Sequence, residues 1–377
     1  MTSIAKIDRW VLRAPIERPL ANAFGAMSNR PALFVRITAD DGAWGWGEVF
    51  CNFPQVGAEH RARLLDSVFV PLLAAAADDP ATVRAMLDRR TRQMAIQCGE
   101  PGPFAQIAGA IDQALWDLAA RRAGVPLWRH LGGNDRAAAV YASGIGPDDV
   151  VDVALAKRDA GYRAFKLKVG FGPQRDVANL RALRVALGEG ATIMADANQA
   201  WSPDDAVARI AELAPPRPHW IEEPMLADVA PAAWRALAAQ SPVPLAAGEN
   251  LRGAQFAEAI DGGWLRFVQP DVGKWGGVSG ALEVARHARE RGIAFCPHWL
   301  GGGIGLAHSL HLVAAAGTSA SFAEVDANPN PLRERVCPMT VEEGAVRLGD
   351  APGIGFEPDL AALAGFVVDA GARTPGR

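Results

Sequence analysis

Ionisable side chains recur along the second half of the chain at intervals of 22 to 28 residues. The series is Lys168, Asp196, Glu222, Glu249, Asp271, His298 and Glu324, and a further lysine, Lys166, lies two residues before its first member. Proteins use carboxylates, amines and imidazoles to bind divalent cations and to move protons. If the fold brings this series together, the sequence predicts a site for metal-assisted acid–base chemistry.

Three consecutive members of the series are carboxylates, namely Asp196, Glu222 and Glu249. At close range carboxylates repel one another and need a cation. A set of oxygen ligands without a nearby cysteine favours a hard divalent ion, Mg²⁺ before Mn²⁺. In the alternative interpretation, each acid separately caps a helix or pairs with an arginine.

The stretch FKLKVG carries Lys166 and Lys168 on what reads as a buried β-strand. Residues two apart on a strand point to the same side, so the two ammonium groups are expected to be neighbours. Each disfavours the charge of the other, and we expect the pKa of one to fall until that amine can act as a general base. Otherwise the pair lies on a solvent-facing edge or makes two independent salt bridges.

Asp271 and His298 end neighbouring predicted strands. A carboxylate beside an imidazole fixes its tautomer and raises its basicity, so this pair is a candidate second acid/base. The alternative for His298 is a hydrogen-bonded structural histidine, the interpretation we adopt for His308 and His311. Glu324 could donate a hydrogen bond to a developing oxyanion if protonated, or pair with a lysine, and spacing favours neither.

Short apolar strands alternate with helical segments after residue 133. The predicted strands are AAVYASG, FKLKVG, ATIMADAN, HWIEEP, PLAAGEN, RFVQPDV, IAFCPHW and SFAEVD. Such alternation predicts parallel strands with right-handed crossovers, and about eight units fit a TIM-type barrel. The ionisable series would then converge on the barrel mouth, with Lys168 and His298 facing each other across it.

The N-terminal part shows strands followed by helices, which indicates an α+β domain. Residues 32–50 alternate apolar and polar residues on both sides of an Asp-Gly turn signal, and helical patterns follow at about 58–75, 80–97 and 104–124. The 377 residues suffice for such a domain plus a barrel.

The composition argues against several classes of partner. A net charge of −4 disfavours general binding to nucleic acids or anionic membranes. The four cysteines are scattered, and the N-terminal residues lack the apolar core of a signal peptide. We therefore expect a cytoplasmic protein with reduced thiols, a small-molecule substrate, no nucleic acid and no membrane.

In these motifs the chain resembles the enolase superfamily, specifically its mandelate racemase subgroup. The resemblance is carried by KLK (166–168), DAN (196–198), WIEEP (220–224), AGEN (247–250), DVGKWGG (271–277), PHW (297–299), AEVD (323–326) and the N-terminal WGWGE (44–48). It implies an α/β fold, a modified TIM barrel of the (β/α)₇β type with an N-terminal α+β capping domain. The implied cap comprises residues 1–125, with residues 350–377 returning to it, and the barrel comprises 126–349.

The resemblance also implies roles for the ionisable series. Mg²⁺ would be held by Asp196, Glu222 and Glu249. Lys168 would be one acid/base, with Lys166 lowering its pKa and contacting the substrate carboxylate. The Asp271–His298 pair would be the other, and Glu324 an electrophilic helper. A homo-oligomer is implied without a subunit number. Glu223 is expected to point to the other face, and Lys274 to be structural.

Substrate choice is expected to lie in two cap loops, residues 16–30 and 50–57. Their candidate contacts are Asn22, Phe24, Asn52 and Phe53, and Asn198 of the DAN motif is a further candidate. The leading hypothesis is dehydration of an acid sugar to a 2-keto-3-deoxy acid, and the runner-up is racemisation or epimerisation of a 2-hydroxy acid or related carboxylate. A Schiff-base aldolase and a barrel that only binds ligand are the remaining alternatives.

Overall fold

The computed structural model of the chain describes residues 2–22, 25–74 and 76–375, without the side chains of residues 18, 21 and 22. The predicted substrate contact Phe24 therefore lies outside the described residues, and of Asn22 only the backbone is described. Within the described residues, no helix has both the length and the apolar composition that crossing a bilayer requires.

A four-stranded antiparallel sheet forms the N-terminal part, in the order β14-β1-β2-β3. Its strands are β1 (Ile4–Asn22), β2 (Gly25–Ala39), β3 (Trp44–Val49) and, from the other end of the chain, β14 (Val367–Arg373). The predicted turn between β2 and β3 is present, and Gly42 takes a φ of 85° there, which a residue with a Cβ seldom adopts.

The helices of this part follow strand β3 in the chain. They are α1 (Gly57–Leu64), continued by a π turn (Leu65–Phe69) into α2 (Val70–Leu72), then α3 (Pro80–Gln97), α4 (Pro101–Arg122) and the short α5 (Leu127–His130). Of these, α4 packs against β2 and β3. The two glycines of WGWGE let α4 approach β3 closely. A Cβ on Gly45 or Gly47 would lie 2.0 Å from a carbonyl oxygen of α4, so larger residues cannot occupy these positions.

Eight parallel strands and seven intervening helices form the second part. The strands are β4 (Ala137–Ile145), β5 (Ala164–Lys168), β6 (Thr192–Asp196), β7 (Ile221–Glu222), β8 (Leu245–Ala247), β9 (Phe267–Val268), β10 (Ala294–Phe295) and β11 (Ala323–Asp326). The helices are α6 (Val150–Asp159), α7 (Pro173–Leu187), α8 (Pro203–Leu213), α9 (Pro231–Gln240), α10 (Ala254–Asp261), α11 (Gly277–Glu290) and α12 (Gly303–Ala316).

Hydrogen-bonded neighbours follow chain order from β4 to β10, and β11 returns to pair in parallel with the other side of β4. The predicted (β/α)₇β barrel is thus confirmed. After β11 come the short helix α13 (Pro331–Glu334) and a hairpin of β12 (Val341–Glu342) and β13 (Ala345–Arg347), which pairs with the start of β4. Buried Tyr141, Met194, Trp220 and Phe267 fill the barrel interior.

Buried Glu48 links the N-terminal sheet to the barrel. Its carboxyl accepts hydrogen bonds from the backbone N–H groups of Gly302, at 2.5 Å, and Gly305, at 3.0 Å, at the start of α12. Burial raises its pKa to about 8 although these N–H groups favour the charged form. The segment that follows His298 is therefore held by a residue more than 250 positions earlier in the chain.

Replacement of Glu48 by glutamine is expected to flatten the pH dependence of stability. The unfolded chain releases the Glu48 proton near its ordinary pKa of 4.5, whereas the folded protein keeps it to about pH 8. The unfolded state therefore binds fewer protons between these values, and Glu48 makes the folded state progressively less stable as pH rises through this window. Urea unfolding of the wild type and of Glu48→Gln from pH 4.5 to 8.5 measures the difference. Glu283→Gln, at an exposed position, is the control, and parallel curves for wild type and Glu48→Gln would contradict the prediction.

Candidate active site

The register of neighbouring strands places the first members of the ionisable series side by side. Lys168 pairs with Asp196 across β5 and β6, and Asp196 pairs with Glu222 across β6 and β7. These residues end their strands, so their side chains meet at the carboxyl end of the barrel. Lys166 is fully buried on the same side of β5 as Lys168, whose side chain is 16% exposed.

Each predicted metal ligand is paired with a lysine. Asp196 Oδ2 lies 2.5 Å from Lys168 Nζ, and Glu222 Oε1 lies 2.6 Å from Lys166 Nζ. Glu249 Oε2 lies 2.5 Å from the Nζ of Lys274, so Lys274 contacts the predicted site directly. Among the described residues, no group of three or more His, Cys, Asp or Glu is arranged to hold a metal ion.

The chemistry of the cluster nevertheless fits a divalent cation. Six carboxyl groups are buried together: Asp196, Glu222, Glu223, Glu249, Asp271 and Glu324. Three lysines and one histidine, Lys166, Lys168, Lys274 and His298, face them. Even with the imidazole protonated, acids outnumber bases by two. Burial raises the pKa of Glu222 to about 7 and that of Glu223 well above its ordinary value, so protons balance this excess, and a bound cation could take their place. An all-oxygen donor set of this kind suits Mg²⁺.

The expected fall in the pKa of one lysine is wrong for this arrangement. Burial and the adjacent Lys166 both lower the pKa of Lys168, but the carboxylates, first Asp196, outweigh them and raise it above its ordinary value. The prediction considered only the two lysines. The sign of the shift depends on the acids that the fold brings to the same place.

Asp271 and His298 form the predicted pair. His298 Nδ1 lies 2.6 Å from Asp271 Oδ2, while Asp271 Oδ1 accepts from the backbone N–H of Gly273 at 2.8 Å. The other ring nitrogen, Nε2, lies 3.0 Å from Glu249 Oε2. Burial disfavours the imidazolium, yet the surrounding carboxylates, first Glu249, raise the pKa of His298 to about 9. The ring is therefore oriented by Asp271 on one side and faces the carboxylate cluster with the other.

Glu324 pairs with a lysine, which was one of the two interpretations left open. Its Oε1 lies 3.0 Å from Lys166 Nζ and accepts from Ser143 Oγ, and its Oε2 accepts from the backbone N–H of Trp299. Burial favours the neutral acid, but Lys166, followed by His298, lowers the pKa of Glu324 to about 2. In this arrangement Glu324 is a carboxylate and an acceptor.

The backbone at Glu223 departs from regular strand geometry. Its φ of 40° breaks the strand, and its carboxyl accepts from Asn250 Nδ2 at 2.8 and 3.1 Å. Burial, followed by the charge of Glu249, raises the pKa of Glu223 well above its ordinary value. Glu223 also lines a separate cavity with Trp234 and Leu251, and the described lining of that cavity holds none of the predicted ligands, so the expected position of Glu223 on the other face stays a prediction.

The deep wall of the site holds residues that the sequence analysis missed. Glu222 Oε2 accepts from Gln269 Nε2 at 2.6 Å and from Trp220 Nε1 at 3.3 Å. Lys166 Nζ also lies 3.3 Å from the hydroxyl of Tyr141. Gln269 precedes Asp271 by two residues, so period-two alternation along the predicted strand would have placed it on the inner face.

A pocket opens beside this cluster at the barrel mouth. The barrel contributes Lys168, His298, Glu324, Ser143, Gly144, Leu300, Asp326 and Asn328 to its lining, and the N-terminal part contributes Leu20, Met27, Arg30 and Phe53. Lys168 and His298 thus face one shared space. Arg30 and Asp326 were not predicted. Asp326 follows Glu324 by two residues, and alternation would have revealed it, whereas no local signal marks Arg30.

Of the two predicted contacts in residues 50–57, one lines the pocket and the other supports its wall. Phe53 lines the pocket, whereas Asn52 donates from Nδ2 to the carbonyl oxygen of Leu300 and so fixes the wall. Asn198 is buried just beyond β6, where its backbone N–H donates to Asp196 Oδ1 at 2.8 Å. It is not part of the described lining of this pocket.

A separate cavity of about 540 Å³ lies between α12 and the β12–β13 hairpin, and His311 is part of its wall. His311 Nδ1 accepts from the backbone N–H of Trp128 at 2.9 Å, and Nε2 faces the carbonyl oxygen of Ile354 at 3.4 Å. Both ring nitrogens of His308 likewise face backbone carbonyl oxygens. These contacts agree with the structural interpretation of both histidines.

Two family models match the chain. The model of the mandelate racemase/muconate lactonizing enzyme N-terminal domain matches residues 6–132, and the model described as enolase C-terminal domain-like matches residues 149–362.

Curated relatives act on sugar acids. The chain is 32% identical to the 3,6-anhydro-alpha-L-galactonate cycloisomerase of Streptomyces coelicolor, over 97% of this chain and 99% of the relative. It is 33% identical to the D-galactonate dehydratase of Verminephrobacter eiseniae, over 74% of each.

Solved structures share the fold, and one of them contains magnesium. A mandelate racemase/muconate lactonizing enzyme from Bordetella bronchiseptica is 49% identical with a TM-score of 0.92, covering 97% of this chain and 99% of its own. The L-talarate dehydratase of Polaromonas sp. JS666, solved with Mg and L-glucarate, is 25% identical with a TM-score of 0.84, covering 99% of each chain. Magnesium is therefore a metal of relatives with this fold.

Proposed function

Since this chain belongs to the mandelate racemase/muconate lactonizing enzyme family of the enolase superfamily, we propose that it dehydrates a sugar acid. The α-proton leaves first, the 3-hydroxyl follows as water, and the resulting enol becomes a 2-keto-3-deoxy acid. The observation that carries the proposal is the pocket shared by Lys168 and the Asp271-supported His298, beside a cluster of excess carboxylates.

The proposal assigns the buried acids to the metal. Asp196, Glu222 and Glu249 would hold Mg²⁺, with Gln269 and Trp220 fixing Glu222 through their N–H groups. When bound, the cation supplies positive charge that stabilises the charge developing on the substrate carboxylate. The lysines that pair with these acids, Lys166 and Lys168, would then be available to the substrate.

The proton transfers are assigned to the two sides of the pocket. The surrounding carboxylates outweigh burial and raise the pKa of both Lys168 and His298, so a cation held by those acids would be needed for one of the two to lose its proton and act as base. That group takes the α-proton, and the other gives a proton to the departing 3-hydroxyl, so that no net proton is consumed. Asp271 holds the imidazole through Nδ1 and leaves Nε2 facing the reacting atoms. Lys166 contributes a fixed positive charge beside the substrate carboxylate, and Glu324 holds Lys166 in place.

A second candidate is the opening of a cyclic sugar acid by cycloisomerisation, which the cycloisomerase relative favours. The same α-proton leaves, and a ring oxygen departs in place of a hydroxyl. Racemisation or epimerisation remains the third candidate, because it needs the same two acid/base groups and no leaving group.

Purified protein incubated with sugar acids in D₂O, with Mg²⁺ and then with EDTA, tests the proposal. We expect α-deuterium exchange and a 2-keto product with Mg²⁺, loss of both with EDTA, and recovery on adding Mg²⁺ back. Exchange with inverted configuration and no keto product would favour epimerisation. Borohydride trapping of substrate on a lysine, without any effect of EDTA, would instead support an aldolase.

The proposal also covers the roles of the two parts of the chain and the assembly of the protein. We assign the capping role to residues 1–125, joined by residues 350–377, and the chemistry to residues 126–349. We also propose that the protein assembles as a homo-oligomer in the cytoplasm, which light scattering and cell fractionation would test.

A further inference from the structure

Resting on the proposed function, we propose that this site selects sugar acids with a single carboxylate, the aldonates, over the matching diacids, the aldarates. The discriminating element is the ion pair between Arg30 and Asp326 in the pocket wall. The curated and structural relatives do not decide this point, since they act on or bind acids of both kinds.

Asp326 lies on the inner face of β11, two residues beyond Glu324, and forms part of the pocket wall. Its carboxylate is only 4% exposed and is held from several sides. Oδ1 accepts from the backbone N–H of Asn328 at 3.0 Å and from its Nδ2 at 2.8 Å. Oδ2 lies 2.5 Å from Nη2 of Arg30 and 3.6 Å from Nη1 of Arg333. Both oxygens of the Asp326 carboxyl are therefore held in place.

Arg30 is already occupied. Its Nη2 pairs with Asp326, and its Nε donates to the carbonyl oxygen of Pro329 at 3.2 Å. The Arg30 side chain is only 2% exposed. Among the described lining residues, Arg30 is the only arginine and Lys168 the only lysine. Lys168 lies at the end of the pocket where the proton transfers are proposed. Arg333 is not part of the described lining and also pairs with Glu334 at 2.9 Å. A second carboxylate at this wall would therefore have to displace Asp326 from Arg30 and lie beside its charge.

A hydroxyl group suits the same wall. It can donate a hydrogen bond to Asp326 Oδ2 or to the side-chain oxygen of Asn328, whose Nδ2 already donates to Gly144 and Asp326. It also carries no charge to be desolvated. An acid whose far end is a hydroxyl is therefore accommodated, and one whose far end is a carboxylate is penalised.

The adjoining groove, of about 620 Å³, reinforces the selection. It shares Leu20, Gly144 and Asn328 with the pocket, so it continues the same space outward. The charged residues among its described lining are Glu17, Asp148 and Asp149, all acidic, and Asp148 is paired with Arg175. Asp149 also makes an interaction, so the exposed Glu17 is the acid that a dianion approaching along the groove would meet.

Matched acids test the inference: D-galactonate against galactarate, and D-gluconate against D-glucarate. Dissociation constants from calorimetry with Mg²⁺, and rates of α-deuterium exchange, are measured for each. We expect the aldonate of each pair to bind at least tenfold more tightly. In Asp326→Asn, which frees Arg30 and removes the repelling charge, we expect this preference to shrink at least tenfold.

Asp350→Asn is the matched control, because Asp350 also lies between two arginines, Arg129 and Arg136, but at the surface. It should keep the wild-type preference, and retained Mg²⁺ binding by Asp326→Asn shows that the variant is folded. Equal or tighter binding of the aldarates by the wild type, or no binding of the aldonates, overturns the inference. Binding with the expected preference but without exchange would overturn the proposed function and leave the selection standing.

Discussion

Lys168→Ala is expected to lower turnover by about 10²–10⁴-fold, the usual contribution of a positioned acid/base group. Lys168 lines the pocket, and its Nζ lies 2.5 Å from Asp196 Oδ2. Removing the ammonium takes away a proton carrier and leaves Asp196 without its partner. Because a positive charge next to a proposed ligand opposes cation binding, Mg²⁺ affinity should be unchanged or higher.

Turnover of sugar acids and calorimetry with Mg²⁺ together check this result. Lys6→Ala is the control, since Lys6 also pairs with an aspartate, Asp8, but is exposed and far from the barrel mouth. Undiminished turnover in Lys168→Ala would remove Lys168 from the mechanism. Loss of turnover together with loss of Mg²⁺ binding would point to a structural defect at Asp196.

His298→Asn is expected to lower turnover by a comparable factor, about 10²–10⁴-fold, with Mg²⁺ binding retained. The imidazole lies between Asp271, at 2.6 Å from Nδ1, and Glu249, at 3.0 Å from Nε2. Asparagine is neutral, shorter than histidine and unable to take up or release a proton near neutral pH. Its amide N–H groups can still donate hydrogen bonds, so the carboxylates are not all left unpaired.

The surface pair His287 and Asp261 offers the control for this substitution. Its Nε2–Oδ1 distance is 2.8 Å, and His287→Asn removes a similar interaction away from the pocket. Deuterium exchange then separates the two proposed acid/base groups. If Lys168 takes the α-proton, His298→Asn keeps exchange and loses elimination, and Lys168→Ala loses both. The reverse pattern would assign the abstraction to His298, and wild-type turnover in His298→Asn would exclude it from the mechanism.

The barrel and its ionisable series could be predicted because both are local properties of the sequence. Strands such as FKLKVG and ATIMADAN are recognisable within a few residues, and parallel pairing follows from the helices between them. The register of Lys168 with Asp196 and of Asp196 with Glu222 then places the acids together. The repeating strand–helix unit therefore determines where these acids lie relative to one another.

The parts that escaped prediction depend on contacts between distant segments. Arg30 and Asp326 are 296 positions apart, and Glu48 reaches the start of α12 from 254 positions away. The sign of the pKa shift of Lys168 depends on acids from other strands, not on the neighbouring lysine alone. The backbone direction at Glu223 depends on a left-handed φ, which no residue pattern predicted.

The order of strands in the N-terminal sheet has a consequence for how the protein is made. Strand β1 is flanked by β2 and β14, and Ile7 pairs with Arg373 while Arg9 forms an ion pair with Asp369 at 2.7 Å. On the ribosome, one edge of β1 therefore stays unpaired while the whole barrel is translated. Open strand edges are templates for pairing with other chains. Nascent chains interrupted before residue 367 carry that open edge, so aggregation during translation should depend on how fast the final residues emerge.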